Sequence, residues 1–395
     1  MTPQKVHLAD PLCCHACGGD LESLTVPTII QWQVTSDCRP WPGAPRLATC
    51  SDCGIVQKPI SPQWQLDAET IYASYAVYAQ GGGAEQSSFD GNSGESMARS
   101  RRIVQWLREK AKIPELGQLL DIGCGNGSFL RAFNDDYPKW ELIGAELDDR
   151  NRRQIEAIPG VKKLHVGSLD GLVDKFDLIV MVHALEHVPR PEPFLRLLQT
   201  KLKHGGKILI EVPDLDRSPF DLLIADHCTH FSAETLNKLL LRTGYTIHSS
   251  DVACIPKEIT TLAEVKTDRF DFFVPSPPRN DRHVALGNLR WLELLLDAFR
   301  QEKSQVGIFG SSISATWLAS TLGELVQFFV DEDQNRVGGH HLGLPILNLK
   351  SAPPDVRILV PMRYDIASKI AQRLSTINPN IVIPPTVIQL PLKQR

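Results

Sequence analysis

The chain lacks any large excess of one charge sign: 42 Lys and Arg residues face 46 Asp and Glu, a net charge of -4. With a pI near 6.3, that balance argues against the basic face by which proteins usually hold nucleic acid. A long apolar run is also missing. The longest, such as FDLIVMV at 176–182, fall far short of the ~20 residues that cross a bilayer. The opening stretch MTPQKVHLADPLCC has no apolar signal core. The expectations are a soluble protein of the cytoplasm, with no nucleic-acid and no membrane partner. No short-period repeat or low-complexity tract interrupts the 395 residues, a length that calls for two or three domains.

What is present begins with cysteine. Nine cysteines without a secretion signal point to thiols and metal sites rather than disulfides. Four fall in two knuckle-like pairs, Cys14 and Cys17 in CHACGG, then Cys50 and Cys53 in CSDCG. Each pair sets two thiolates three positions apart with a glycine after the second, a turn tight enough for both sulfurs to face one ion. Zinc is the expected occupant, and four sulfur ligands with no open position make its role structural. The alternatives are a chance pairing of small buried residues or a redox pair, and Cys13 could stand in for Cys14. Cys38, Cys124, Cys228 and Cys254 have no partner at ligand spacing and read as ordinary thiols.

Composition and periodicity divide the rest. Residues 1–62 are the zinc-binding module. Residues 63–99 carry Tyr72, Tyr75 and Tyr78, then GGGAEQSSFDGNSGES, and read as a linker or lid. Over 100–250, apolar segments alternate with helical patterns, as in a parallel sheet covered on both faces. The strands are QLLDIG, ELIGAEL, KLHVG, FDLIVMV and KILIEVP. Residues 251–304 form a connecting segment with a helix over 284–300, and 305–395 a second α/β unit opening at QVGIFGSS. The fold class is α/β: a Rossmann-like core, an N-terminal zinc-binding module and a second Rossmann-like domain.

The first strand runs into LLDIGCGNGSF, where Gly123, Gly125 and Gly127 precede a helix expected from Ser128. Backbone and helix N-terminus can approach a ligand there with no side chain between, which suits a nucleoside. A dinucleotide fingerprint needs Gly or Ala last in G-x-G-x-x-G; Ser128 stands there instead, which disfavours NAD. Asp121 closes the strand before the loop. Glu146 closes the next strand, where a carboxylate can accept from both ribose hydroxyls.

DIGCGNG, the acid of GAEL and VMVHALEHVPRPEPFLRLLQTKLKHGGKILIEVP match in order and spacing the class I S-adenosylmethionine-dependent methyltransferases, which this stretch resembles. The resemblance implies S-adenosylmethionine as cofactor. Asp121, Gly123, Cys124, Gly125 and Gly127 would surround its methionine and ribose, Glu146 and Leu147 the ribose, and Ser168 and Leu169 the adenine. Family members often carry aspartate where Ser168 stands. His183, first in HALEH at the carboxyl end of the fourth strand, joins the cofactor set, or is structural like His340 and His341.

More narrowly, the whole chain resembles the three-part sugar C-methyltransferases: zinc-binding module, methyltransferase core and C-terminal α/β unit. FFVDEDQNRVGGHHLGLPIL stands where that family has an Asp-ended strand, a glycine-rich turn and an I-P-I-like strand. A nucleotide-linked keto-sugar is the implied small-molecule substrate, of surface-polysaccharide or natural-product biosynthesis, its nucleotide contacting the C-terminal unit. The family's L-x-H-I/V-P histidine is His187 in LEHVP. Its Y-H-E-H-x-x-Y-F-S segment aligns with IADHCTHFS, so His227 becomes the expected general base, tuned by Asp226 or His187, and His230 replaces the last tyrosine. The first tyrosine and first histidine become Ile224 and Ala225. Without that enolate-stabilising tyrosine, O- or N-methylation of a related metabolite stands beside C-methylation. The competing readings are structural histidines ahead of a helix capped by Ser232, a nicotinamide dehydrogenase, and a non-catalytic nucleoside-binding scaffold.

Overall fold

The computed structural model describes residues 13–76, 83, 85, 87–89, 96–266 and 281–386. Of the stretch 63–99 expected as a linker or lid, residues 77–82, 84, 86 and 90–95, with Tyr78 among them, lie outside. At the centre is a seven-stranded sheet: β1 (Gln118–Ile122), β2 (Glu141–Glu146), β3 (Val161–Val166), β4 (Phe176–Val182), β5 (Leu202–Pro213), β6 (Tyr245–Asp251) and β7 (Glu258–Val265). Their order is β3-β2-β1-β4-β5-β7-β6. The five expected strands are β1 to β5; apart from the edge strand β3, which buries only Leu164, they carry apolar runs whose successive side chains enter cores on opposite faces. Leu120, Ile122, Ile179, Met181, Ile208 and Ile210 enter one core. Leu119, Leu142, Leu178, Val180 and Leu209 enter the other.

The sheet is mixed rather than all-parallel, because β7 runs antiparallel to both β5 and β6. Residues 252–257 alone join β6 to β7, too few for a crossover, so the chain can only reverse. The sheet thereby passes the boundary expected at 250 and enters the segment expected as a connector. β6 buries only Tyr245 and then alternates exposed and half-buried positions, and β7 buries Glu258, Thr260 and Thr261. Those polar residues hid both strands from a reading based on apolar runs.

The amino-terminal part is a four-stranded sheet ordered Leu21–Ser23, Ala48–Cys50, Val56–Gln57, Thr229–His230. Its last strand belongs to the central domain: Thr229 pairs with Gln57 and His230 with Val56. Helix Pro62–Ala73 follows, started by the Ser61 side chain and a proline at its first position. The helix expected over 284–300 is Asp281–Phe299. It shares one core with Val306 and Ile308 of a second, six-stranded sheet, with Leu222, Leu223 and Ile224, and with Ile30 and Val34. Three regions of sequence therefore meet in a single apolar cluster. No helix among the described residues is long and apolar enough to cross a membrane.

Candidate active site

β1 ends in the glycine loop at the carboxyl edge of the sheet. Gly123, Gly125 and Gly127 have φ of 72°, 57° and 83°, the left-handed region that favours glycine. A Cβ on Gly127 would lie 2.4 Å from Ile158 Cδ1, so that side chain would have to shift to admit one. Gly127 leads into helix Ser128–Asp136. Glu146 Oε1 accepts from the Gly125 N–H at 2.5 Å. Asp121 is 2% exposed, and its Oδ2 has no hydrogen-bond partner. Burial, and next the Glu146 carboxyl, push the Asp121 pKa from 3.8 up to about 8.

The other residues expected at the cofactor are placed unevenly. Cys124 is buried, Leu147 is exposed beside Glu146, and Ser168 caps the 3-10 turn Leu169–Gly171. The Leu169 side chain is committed to the core. His183, at φ 51°, is engaged with carboxylates: Nδ1 lies 3.0 Å from Glu186 Oε1 and Nε2 3.1 Å from Glu258 Oε1. Burial, the largest single influence, works to lower its pKa, but the Glu258 charge and the hydrogen bonds to Glu186 and Glu258 together outweigh it, and His183 is pushed up to about 10. Arg99 adds a second cation, 2.7 Å from Glu258 and 3.7 Å from Glu211. His183 is thus one member of a buried ion cluster rather than a free cofactor contact.

The histidines of the second group converge. His227 is 3% exposed, and its Nδ1 lies 2.6 Å from Asp221 Oδ1; His230 Nδ1 lies 2.6 Å from Asp221 Oδ2. Burial alone would raise the Asp221 pKa. The His230 charge and the two ring N–H donors outweigh it and keep the carboxylate ionised. His187 stands edge-on to His227 with ring centroids 4.5 Å apart. Its Nδ1 is 3.0 Å from the Asp226 main-chain oxygen and 2.9 Å from Tyr72 Oη, so Tyr72 does reach the site. Burial, then His227, lowers the His187 pKa.

Asp226 does not pair with His227, contrary to expectation. Its carboxylate accepts from Ser36 N–H at 2.9 Å and Ser36 Oγ–H at 2.5 Å, and lies 3.5 Å from His187 Nδ1. Asp221, on the turn Pro219–Leu223, is the partner that sequence reasoning missed. No spacing rule links it to His227; the one available signal was an acid inside the apolar run PFDLL. Glu186, the acid of HALEH at the carboxyl end of the fourth strand, is fully buried. Its Oε1 faces His183, while Oε2 has no hydrogen-bond partner.

The four cysteines expected to bind metal do converge, with their sulfurs all within 4.8 Å of one another. Cys14 and Cys53 are 3.7 Å apart, Cys17 and Cys50 3.4 Å. Cys13 is not in the group; its backbone bridges to Asp20. This module builds part of the histidine site. Lys58 N–H donates to the Cys228 carbonyl at 2.9 Å, and Ala225 N–H to the Val34 carbonyl at 2.7 Å. Trp64 Nε1–H donates to the Ala225 carbonyl at 3.0 Å, and Lys58 Nζ to the Ile224 carbonyl.

Residues 97–250 match the family model for a methyltransferase domain. Over this segment the chain is similar to methyltransferase domains. The dTDP-4-amino-2,3,4,6-tetradeoxy-D-glucose N,N-dimethyltransferase of Saccharopolyspora spinosa is 30% identical over 121 residues, 29% of this chain and 47% of that protein. The ubiquinone biosynthesis O-methyltransferase of Pseudomonas syringae pv. tomato is 26% identical over 128 residues, 31% of this chain and 54% of that one. The chain thus spans about half the length of these curated relatives. A solved S-adenosylmethionine-dependent methyltransferase from Clostridium acetobutylicum aligns with 51% of this chain and 97% of its own, at 14% identity and a TM-score of 0.36.

Proposed function

We propose that this protein transfers a methyl group from S-adenosylmethionine to a small molecule, a nucleotide-linked sugar. The observation that carries the donor is Asp121: a buried carboxylate oxygen without a partner, under a left-handed glycine loop, inside the methyltransferase domain. A buried polar group left unpaired is costly, and a cationic donor would relieve it. When bound, the donor supplies an electrophilic methyl carbon on a sulfonium.

The chain's own groups then have distinct tasks. The loop amides and the helix starting at Ser128 face the donor. Glu146 is available to exchange its bond to Gly125 for ribose hydroxyls. Leu147 stands beside Glu146 at the ribose, and Ser168 and the Leu169 main chain border the adenine. His227 is held by Asp221 with its proton on Nδ1, which leaves the Nε2 lone pair to take a proton from the acceptor. His187 positions the acceptor beside it. The sugar reading draws on the Saccharopolyspora relative and on the three-part resemblance. In the C-terminal unit, Ser311 Oγ–H donates to Asp331 Oδ2 at 2.7 Å beside the turn at Gly310, a strand-to-helix turn suited to the nucleotide. Buried Ile224, where the resembled family has a tyrosine, favours transfer to oxygen or nitrogen over carbon. The four cysteines are read as a structural zinc site: about 3.8 Å separates sulfurs placed 2.3 Å from a tetrahedral ion, close to the spacings found.

Radiolabelled donor with a panel of nucleotide sugars and non-sugar hydroxy and amino compounds tests the acceptor. Label on a nucleotide sugar is expected; transfer confined to non-sugar acceptors would overturn the sugar reading. A separate test concerns pH. Asp121 is neutral below about pH 8 in the free protein, and a cationic donor favours its ionised form. Donor affinity should therefore rise as pH approaches about 8, by up to about tenfold per pH unit, and level off above. By the same linkage, the unliganded fold loses stability as pH rises from 3.8 to about 8. Calorimetry in buffers of different ionisation enthalpy should register proton release on binding, absent in Asp121→Asn; release that persists in the variant would remove Asp121 from the donor site.

A further inference from the structure

We infer that Glu186, His187 and His227 form a site for one divalent transition-metal cation at the acceptor end of the active site. One ligand atom from each lies within 4.8 Å of the other two. Ligands 2.0–2.1 Å from a tetrahedral ion stand about 3.3 Å apart, so small side-chain rotations close the site.

The hydrogen bonds behind the triad fix what each group offers. Asp221 accepts from His227 Nδ1, and a carbonyl, which can only accept, faces His187 Nδ1. Both rings therefore carry their proton on Nδ1 and a lone pair on Nε2. A carboxylate or carbonyl behind each ring is the outer shell that metal-binding histidines ordinarily have. The third donor is the buried Glu186 Oε2, which has no hydrogen-bond partner, while Oε1 is steadied by His183. Two neutral imidazoles and one carboxylate suit a divalent first-row transition metal. The neighbouring group of His183, Glu211 and Glu258 differs, because Arg99 already supplies a cation 2.7 Å from Glu258.

The existence of this site does not depend on methyl transfer; its consequence rests on the proposed function. Three protein ligands leave a position open, and a hydroxyl bound there loses its proton more readily. That proton leaves to solvent. The acceptor oxygen forms its bond to the methyl carbon as the carbon–sulfur bond breaks, and the bonding pair stays on sulfur. His227 is then a ligand, and in the cation-free protein it takes the proton itself. The acceptor class that follows is a hydroxyl-bearing small molecule.

The test is a cobalt(II) titration of the full-length protein after its thiolate site has been filled with zinc. One further equivalent is expected, with visible d–d bands and no thiolate charge-transfer band. Glu186→Gln should abolish that equivalent, and Asp221→Asn should weaken it by about 10–100-fold, as loss of an outer-shell partner commonly does. Unchanged donor affinity by calorimetry would show that both variants are folded. No cobalt beyond the zinc-filled site, binding that survives Glu186→Gln, or binding abolished by Glu258→Gln alone would overturn the assignment. Donor binding and labelling of sugars are read separately, so cobalt bound without sugar methylation removes the substrate reading and leaves the metal site standing.

Discussion

Cys50→Ser is expected to release the zinc that survives dialysis, taking its content from about one per chain to near zero, and to destabilise the protein by at least about 3 kcal/mol. Structural zinc contributes on the order of 10–16 kcal/mol to small zinc modules, while a whole domain is stable by only about 5–15 kcal/mol. Loss of one ligand in four is therefore a large fraction of what holds the module. The damage should also reach the active site. Cys50 ends the strand that neighbours Val56–Gln57, and that strand pairs with Thr229–His230, two residues beyond His227. Turnover should fall even at temperatures where the central sheet survives by circular dichroism. Metal analysis and thermal melts check this together: unchanged zinc content and an unchanged melting temperature would end the structural-zinc reading.

His227→Ala should lower turnover on the true acceptor by about 10²–10⁴-fold, the usual contribution of a positioned base, and leave donor affinity nearly intact. The separation is expected because Asp121, Glu146 and the glycine loop stand on β1 and β2, whereas His227 stands on the 224–230 segment held by Val34, Lys58 and Trp64. Asp221→Ala should reproduce much of the loss, since the ring would no longer be held in the tautomer that leaves Nε2 free. His187→Ala should cost less if it only positions the acceptor, and the double variant with His227→Ala should lose less than the sum of the two. Single-turnover rates alongside calorimetry provide the readout. Full turnover in His227→Ala would move the base elsewhere, with Tyr72 the next residue to replace.

Much of this was legible in the amino-acid order because it is local. The strands β1 to β5, β3 apart, are apolar runs bounded by glycine and charge, the loop is three glycines between a strand and a helix, and Ser232 caps its helix as a serine in that position does. The paired Cys-x-x-Cys turns likewise need only three-residue geometry within each pair, while the meeting of the two pairs is set by the fold. β6 and β7 were not legible: their pairing with each other and with β5 buries polar side chains whose partners lie elsewhere in the chain. The roles of the carboxylates were hidden for the same reason. Asp221 looked like an acid stranded in an apolar turn until the fold set it between His227 and His230, and Glu186 looked like part of a motif until burial left one of its oxygens without a partner.

By itself, then, the sequence determined the α/β class, the glycine loop between Asp121 and its helix, and the two Cys-x-x-Cys turns, since each depends on spacing within a turn, a strand or a helix start. Only the tertiary structure decided that the cysteine module lends its sheet to the histidine segment, that Asp221 rather than Asp226 orients His227, and that Tyr72 meets His187. Such contacts join residues far apart in the chain, as Val34 and Ala225 are, 191 positions from one another. The preferences of neighbouring residues carry no information about such distances; packing and the pairing of buried polar groups settle them.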